Sequence, residues 1–317
     1  MKKLLFIFNP RSGKEQIKNK LMEILDVFAA ADYELTVRPT QCAKDAYVTI
    51  ANKGQDYDLI VAAGGDGTLN ESFNGLMKID REQRPYFGYI PAGTVNDFAT
   101  TLRISKNPLT AAKGIVNGNK FWCDVGKADT GYFSYIAAFG AFTSVPYETS
   151  QESKNALGNI AYVLEGIKNL TNFEDYPMRV EYKKKDGSVV TISDSFIVGM
   201  VCNTRSVGGM PLGNDTAIDL QDGLFETILV RMPKNPLEFQ QTMNALLMRD
   251  LTSERLYFFH SNDVKFYGEK EVSWTLDGEY GGTCKDMSVV NIAKAIKLKY
   301  KPVRKRSPLN LLDVEEE

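Results

Sequence analysis

Gly64-Gly-Asp-Gly-Thr-Leu-Asn-Glu71 places three glycines, a carboxylate and a threonine directly after the apolar run Leu59–Ala63. Glycines let backbone N–H groups approach a ligand closely and adopt positive φ. N–H groups at a turn that opens a helix bind phosphate, and the helix dipole adds to the attraction. Asp66 would repel a bare phosphate. It suits such a turn when Mg2+ or a polarised hydroxyl lies between the two. A tight strand–helix turn capped by Asp66 or Thr68 is the competing account. The position, at the carboxyl end of a predicted parallel strand, favours a ligand site, because open α/β sheets bind their ligands there.

Two other strand ends carry related chemistry. Asn9-Pro-Arg-Ser-Gly-Lys14 follows Lys3–Phe8, and Ile90-Pro-Ala-Gly-Thr-Val-Asn-Asp-Phe-Ala99 follows the start of another strand. The first lacks P-loop spacing, and the chain has no G-x-G-x-x-G. Taken alone it reads equally well as a turn with a solvated Lys14. In the second, Gly93 and Thr94 repeat small hydrogen-bonding groups and Asp97 adds a carboxylate, so the three ends point to one shared cleft. The second half offers Asp277-Gly-Glu279, where a glutamate on a turn could accept a hydroxyl proton. By itself this is a hairpin turn with a solvated glutamate. Asp222-Gly223 meets the same objection, although Mg2+ takes one carboxylate plus carbonyls and waters. Asp124 follows Trp122-Cys123 and is expected to be semi-buried, so it needs a partner, which Lys14 or Arg103 could supply.

The elements that must position these residues change character along the chain. Lys3–Phe8, Tyr33–Thr40, Leu59–Ala63 and Tyr86–Pro91 read as strands. Between them, Glu15–Ala31 carries Ile17, Leu21, Ile24, Leu25 and Phe28 at helical spacing, and Cys42–Lys53 and Leu69–Met77 also read as helices. That rhythm argues for a parallel sheet covered by helices on both faces. After Trp122 the runs are short: 124–129, 132–138, 178–183, 189–192, 196–202, 224–230, 264–267 and 271–276, then a last run, 287–299. Turn signals punctuate them, which reads as an antiparallel β-rich domain. Helices are predicted near Gly158–Thr171 and Pro236–Leu247.

Composition narrows the classes. The 317 residues suit about two domains, and a net charge of −2 excludes a general nucleic-acid binder. No run approaches the ~18 apolar residues of a membrane span, and the apolar run of MKKLLFIFNP is too brief for a signal peptide. Cys42, Cys123, Cys202 and Cys284 stand apart without pairing motifs and read as reduced, mostly buried thiols. His260 is the one histidine, which disfavours a zinc site or a Ser-His-Asp triad.

NPRSG, GGDGTLNE and PAGTVNDFA, in this order and spacing, resemble the catalytic domain of the diacylglycerol kinase family, in particular its soluble bacterial lipid kinases. Ala138-Phe-Gly-Ala-Phe142 and Lys154–Tyr162 resemble the opening of that family's β domain. Gln221–Phe225 resembles its metal loop, and Leu276–Glu279 its catalytic turn. Nearly the whole chain is covered, except the charged tail. The implied fold is a Rossmann-like α/β domain over 1–124 followed by an antiparallel β-sandwich over 125–294 that takes the lipid. Residues 295–310 are expected to return to the first domain, and 311–317 form an acidic tail.

By the same resemblance, Asn9, Pro10, Arg11, Ser12, Gly13, Thr40, Gly65, Asp66, Gly67, Thr68, Leu69, Asn70, Glu71 and Thr94 hold ATP. Asp222, with backbone oxygens of Asp219 and Leu224, holds a structural Mg2+. Lys14, Asp97, Arg103 and Asp124 form a charged network, Glu279 is the general base, and Asp66 joins it in catalysis. The implied reaction is Mg2+-dependent transfer from ATP to diacylglycerol, giving phosphatidate, by a cytoplasmic protein that works peripherally at the inner face of the membrane. Contact with an anionic surface would fall to Lys183–Lys185 and Lys301–Arg306, at ~1 kcal/mol per basic residue. A homodimer is left open. A NAD kinase shares GGDGT, and a kinase for a sphingoid base or phosphatidylglycerol and a non-catalytic sensor are further alternatives. The complete motif set fits a diacylglycerol kinase better. Phe225-Glu226 stands where relatives often have an aliphatic pair.

Overall fold

The computed structural model describes residues 1–13, 16–140, 174–204, 206–207, 210–211, 220–248 and 250–303. Lys14, Asp219, the predicted helix 158–171, the stretch 154–162, and the tail from 304 onward lie outside the described residues.

β1 (Lys2–Phe8) is an apolar run buried from Leu4 onward. It pairs in parallel with β2 (Tyr33–Pro39) and β3 (Leu59–Gly64), and β3 pairs in parallel with β4 (Tyr86–Pro91). The connections are α1 (Gln16–Ala29), α2 (Asp45–Lys53) and α3 (Asp66–Leu76). In α1, Ile17, Ile24 and Phe28 are fully buried, the stripe that helical spacing calls for. Successive strand residues face opposite sides of a sheet. Phe87 meets Phe73 of α3 edge-on at 5.5 Å, whereas a Cβ on Gly88 would press on Ile115. Helices therefore cover both faces.

Ile115 belongs to α5 (Pro108–Asn117), which follows the short α4 (Asp97–Leu102). Neither helix was legible as a long apolar periodicity. α5 did carry a start signal: Asn107 accepts a hydrogen bond from Thr110 N (3.0 Å), and Pro108 opens the first turn.

The second half is strand-rich. β5 (Asn119–Ala128), β6 (Gly131–Phe133) and β7 (Ile136–Gly140) come first. β8 (Tyr176–Lys183) and β9 (Val189–Cys202) follow, with a small β10 (Ser206–Val207)–β11 (Met210–Pro211) hairpin. Next come β12 (Phe225–Arg231), helix α6 (Pro236–Met248), β13 (Leu256–Ser261), β14 (Asp263–Leu276) and β15 (Glu279–Tyr300). The two runs expected at 189–192 and 196–202 are one strand, as are those at 264–267 and 271–276. β13 was not foreseen, and β15 begins eight residues before the expected start at 287.

β9 and β14 each pair with β7 along one part and with β8 along the other, so these ladders close on themselves. A core drawn from all four strands, including Phe139, Tyr176, Phe196, Phe266 and Trp274, fills one side. α6 packs Phe239, Met243 and Ala245 against Val198, Met200 and Ile228 on the other. The long β15 leaves this region, pairs with β5, and ends in parallel with β4 through Lys297↔Tyr86 and Leu298↔Phe87. One ladder network thus joins both halves, with α3 lying beside the strands of the second.

Candidate active site

Three loops meet at the carboxyl ends of β1, β3 and β4, and their contacts explain their glycines. Gly13 has φ +50°, and a Cβ there would lie 1.7 Å from the carbonyl oxygen of Ala92. A Cβ on Gly93 would lie 2.6 Å from the Gly65 Cα. No side chain fits at either point. Asn96, at φ +57°, fixes the third loop: it accepts from Gly93 N (2.9 Å), and its Nδ2 donates to Gly93 O (2.6 Å). The Tyr89 hydroxyl donates to Gly64 O (2.9 Å), which ties β4 to the start of the glycine turn.

That turn opens α3. Gly65 is its N-cap and no side chain caps it. The first-turn N–H groups lie at the positive end of the helix dipole, where a phosphate is favoured. Asp66 Oδ2 accepts from Asn96 N (3.0 Å), while Oδ1 is buried without a hydrogen-bond partner. Burial, together with the nearby charge of Asp97, pushes the Asp66 carboxyl up to about 7. A shielded, unpartnered carboxylate oxygen at a helix start without a side-chain cap suits a hydroxyl or Mg2+ brought in by a ligand.

Asp277-Gly278 is the turn between β14 and β15, and Glu279 is the first residue of β15. Asp277, at φ +52°, is buried and accepts five hydrogen bonds at 2.7–3.2 Å: from Asn70 Nδ2, Ser134 N, Ser134 Oγ, Tyr135 N and Ile136 N. Burial raises its pKa, and these donors oppose the rise. The turn held in this way brings exposed Glu279 over the glycine turn: a Cβ at position 67 would lie 3.2 Å from Glu279 Oε1. Asn74, one helical turn beyond Asn70, grips Tyr132 of β6, accepting from its N (3.1 Å) and donating to its O (3.0 Å).

Midway along β5, the fully buried Asp124 accepts from Lys294 N (2.7 Å) and Gly223 N (2.8 Å). Burial raises its pKa, the two donors oppose that, and the charge of Asp222 adds to the rise. Asp222 is exposed and its Oδ1 accepts from Leu224 N (2.9 Å). The Asp222 carboxylate offers an oxygen ligand of the kind Mg2+ takes. Among the described residues no three His, Cys, Asp or Glu side chains converge.

Known proteins resemble this chain over most of its length. The family model for the diacylglycerol kinase catalytic domain matches residues 3–128. The chain is 36% identical over 286 residues to a diacylglycerol kinase of Bacillus subtilis, covering 89% of this chain and 91% of that one. This chain belongs to the diacylglycerol kinase family. A diacylglycerol kinase of Staphylococcus carnosus is 35% identical over 89% of this chain and 90% of its own. The crystal structure of a diacylglycerol kinase from Bacillus anthracis superposes with a TM-score of 0.77 at 28% identity, over 95% of this chain and 97% of that one. The chain is an enzyme, an ATP-dependent lipid kinase, and so a transferase. No helix among the described residues is long and apolar enough to cross a membrane.

Within this family member, the residues singled out in the sequence do not all lie together. Asn9–Gly13, Gly65–Asn70, Thr94, Asp97 and Glu279 come together at the loops just described. Thr40 adjoins them through its N–H bond to Phe8 O (2.9 Å). Leu69 is fully buried, so only its backbone faces the turn. Glu71 is engaged elsewhere: its carboxylate accepts from Lys44 N (2.7 Å) and Ala46 N (3.2 Å) at the start of α2. Arg103 is exposed at the end of α4, with φ +55°, and no bond joins its side chain to Asp124 among the described residues. Asp222 and Leu224 sit with Asp124, away from the glycine turn. His260 lies 3.7 Å from Glu226 Oε1 on neighbouring strands. Asn74, Asn96 and Ser134 were not singled out beforehand; the PAGTVND stretch holds Asn96, but its amide role appears only in three dimensions.

Proposed function

We propose that this kinase transfers the γ-phosphoryl group of ATP to the hydroxyl of diacylglycerol, giving phosphatidate and ADP. The observation that carries the proposal is Glu279 Oε1 standing over Gly67, at the one helix N-terminus where a phosphate chain is expected. Nucleotide phosphates lie along the glycine loops. Glu279 accepts the proton of the lipid hydroxyl as its oxygen bonds to phosphorus and the bond to ADP breaks. Mg2+ would neutralise charge on the phosphates, and the unpartnered Asp66 Oδ1 is placed to hold it or its water. Asp222, with carbonyls of its loop including Leu224, is our candidate for a second, structural Mg2+, and Asp97 and Asp124 support the two sites.

In this reading the α/β part, 1–124, is a Rossmann-like nucleotide domain that β15 rejoins, and 125–294 is a sandwich-type lipid domain. The protein meets its lipid from the cytoplasmic side as a peripheral enzyme. Lys184 and Lys185 are exposed and suit an anionic surface.

The test is label transfer from ATP on mixed micelles of diacylglycerol, phosphatidylglycerol, ceramide or a sphingoid base, with NAD in a separate aqueous reaction. Label is expected in diacylglycerol alone. Glu279→Gln is expected to slow transfer by about 10²–10⁴-fold with ATP affinity retained. Label in NAD, or full turnover by Glu279→Gln, contradicts the proposal.

A further inference from the structure

Gly67, Asn70 and Asn74 lie three and four residues apart, so they share one face of α3. Each rung of that face meets the second half of the chain at a defined point. Gly67 faces Glu279, Asn70 donates to Asp277 Oδ2 (2.8 Å), and Asn74 holds Tyr132 by both its N–H and its carbonyl. Asn70 Nδ2 also reaches Tyr132 O (3.2 Å), and Asn74 Nδ2 reaches Asn70 Oδ1 (3.2 Å), which links the two lower rungs. A side-chain amide that both donates to and accepts from one backbone residue acts as a strand neighbour would. It fixes that residue along the helix axis as well as against it. Tyr132 lies two residues before Ser134, which with Tyr135 and Ile136 holds the Asp277 carboxylate.

We propose that Asn74 is a positioning residue that sets the height of Glu279 over the phosphate turn. It touches no reacting atom. It acts through Tyr132, the Ser134–Ile136 segment and Asp277. The inference rests on Glu279 being the base. A displacement of about 1 Å at a reacting centre can cost about 100-fold in rate, so a residue this far away can still matter.

The experiment compares Asn74→Ala and Asn74→Asp with the full-length wild type, each also in the Glu279→Gln background. kcat and KM for ATP and direct ATP affinity are measured, together with amide hydrogen exchange over 131–136 and 277–280. Asn74→Ala is expected to lower kcat about 10- to 100-fold, to leave ATP affinity within about 2-fold, and to speed exchange in both segments. Asn74→Asp, which keeps the acceptor but sets an oxygen against Tyr132 O, is expected to lower kcat further. In the Glu279→Gln background Asn74→Ala is expected to add almost nothing, because both changes act on one event.

An unchanged kcat, a loss of ATP affinity as large as the loss of kcat, or full additivity with Glu279→Gln would each overturn the role. Full turnover by Glu279→Gln alone would instead remove the base assignment. Exchange still decides the positioning claim in that case, or if one variant turns over too slowly to assay: unchanged protection over both segments refutes it.

Discussion

Asp66 and Asp277 are both shielded carboxylates on turns of the same cleft, and burial raises the pKa of each. They differ in what they hold. Asp277 accepts five hydrogen bonds, whereas Asp66 accepts one backbone bond and keeps one oxygen without a partner. Burying a carboxylate is costly unless donors surround it. Asp277 has those donors within the protein, so it serves as a joint: it locks the turn carrying Glu279 to α3 and to the Ser134–Ile136 segment. Asp66 lacks them, and in the proposed function the bound ligand completes its environment. On that proposal two neighbouring acidic residues divide between holding the site and serving it.

The largest effect expected from breaking this comparison is on stability. Asp277→Ala strands the N–H groups of Ser134, Tyr135 and Ile136, and a buried donor left without an acceptor costs about 1–3 kcal/mol. Urea unfolding is expected to show a loss of roughly 3 kcal/mol or more. Asp66→Ala strands a single N–H, that of Asn96, and removes a desolvated carboxylate oxygen without a partner, so its loss is expected to stay below about 1 kcal/mol. Equal losses would erase the distinction.

A smaller effect follows from pH. The folded Asp66 carboxyl has its pKa raised to about 7, so between about pH 4 and 7 the folded state holds a proton that the unfolded chain releases. The contribution of Asp66 therefore favours folding at low pH and declines as pH rises through about 7. The burial-raised Asp277 acts in the same direction. Asp66→Asn is expected to flatten the stability profile across that window, and an unaltered slope in thermal melts from pH 4 to 8 would contradict it.

The smallest effect is expected at the second acidic loop. Asp222 is exposed, so Asp222→Ala should change stability by less than about 0.5 kcal/mol without Mg2+. It should abolish any rise in melting temperature that Mg2+ gives the wild type in the absence of nucleotide. A variant that keeps the whole Mg2+ response removes Asp222 from the metal site.

What could be read in the sequence follows the range of each interaction. β1, β3 and β4 are uninterrupted apolar runs, and the glycine, asparagine and aspartate residues at their ends are local signals. α4 was missed because it has six residues, too few to show a period. β9 and β14 were each divided in two because Ser193-Asp-Ser195 and Gly268-Glu-Lys270 interrupt the apolar pattern where the strands reach solvent. β15 was started late because Gly281-Gly282 looks like a turn, whereas it lies in a bulged strand. Glu279 is singled out by its motif alone. Asp277 passed as a turn residue because the Ser134 donor to its carboxylate lies 143 positions away in sequence. No local pattern records so distant a partner, and the same holds for Asn74 and Tyr132.

The most direct test of the difference between the two carboxylates is calorimetric titration of Mg2+ and ATP into wild type and Asp66→Asn, in buffers of different ionisation enthalpy, near pH 6.5. If Asp66 is completed by the ligand, binding to the wild type releases a proton, and Asp66→Asn binds more weakly with that release gone. Equal affinity and equal proton release in the two proteins would show that Asp66 is not where the ligand meets the fold.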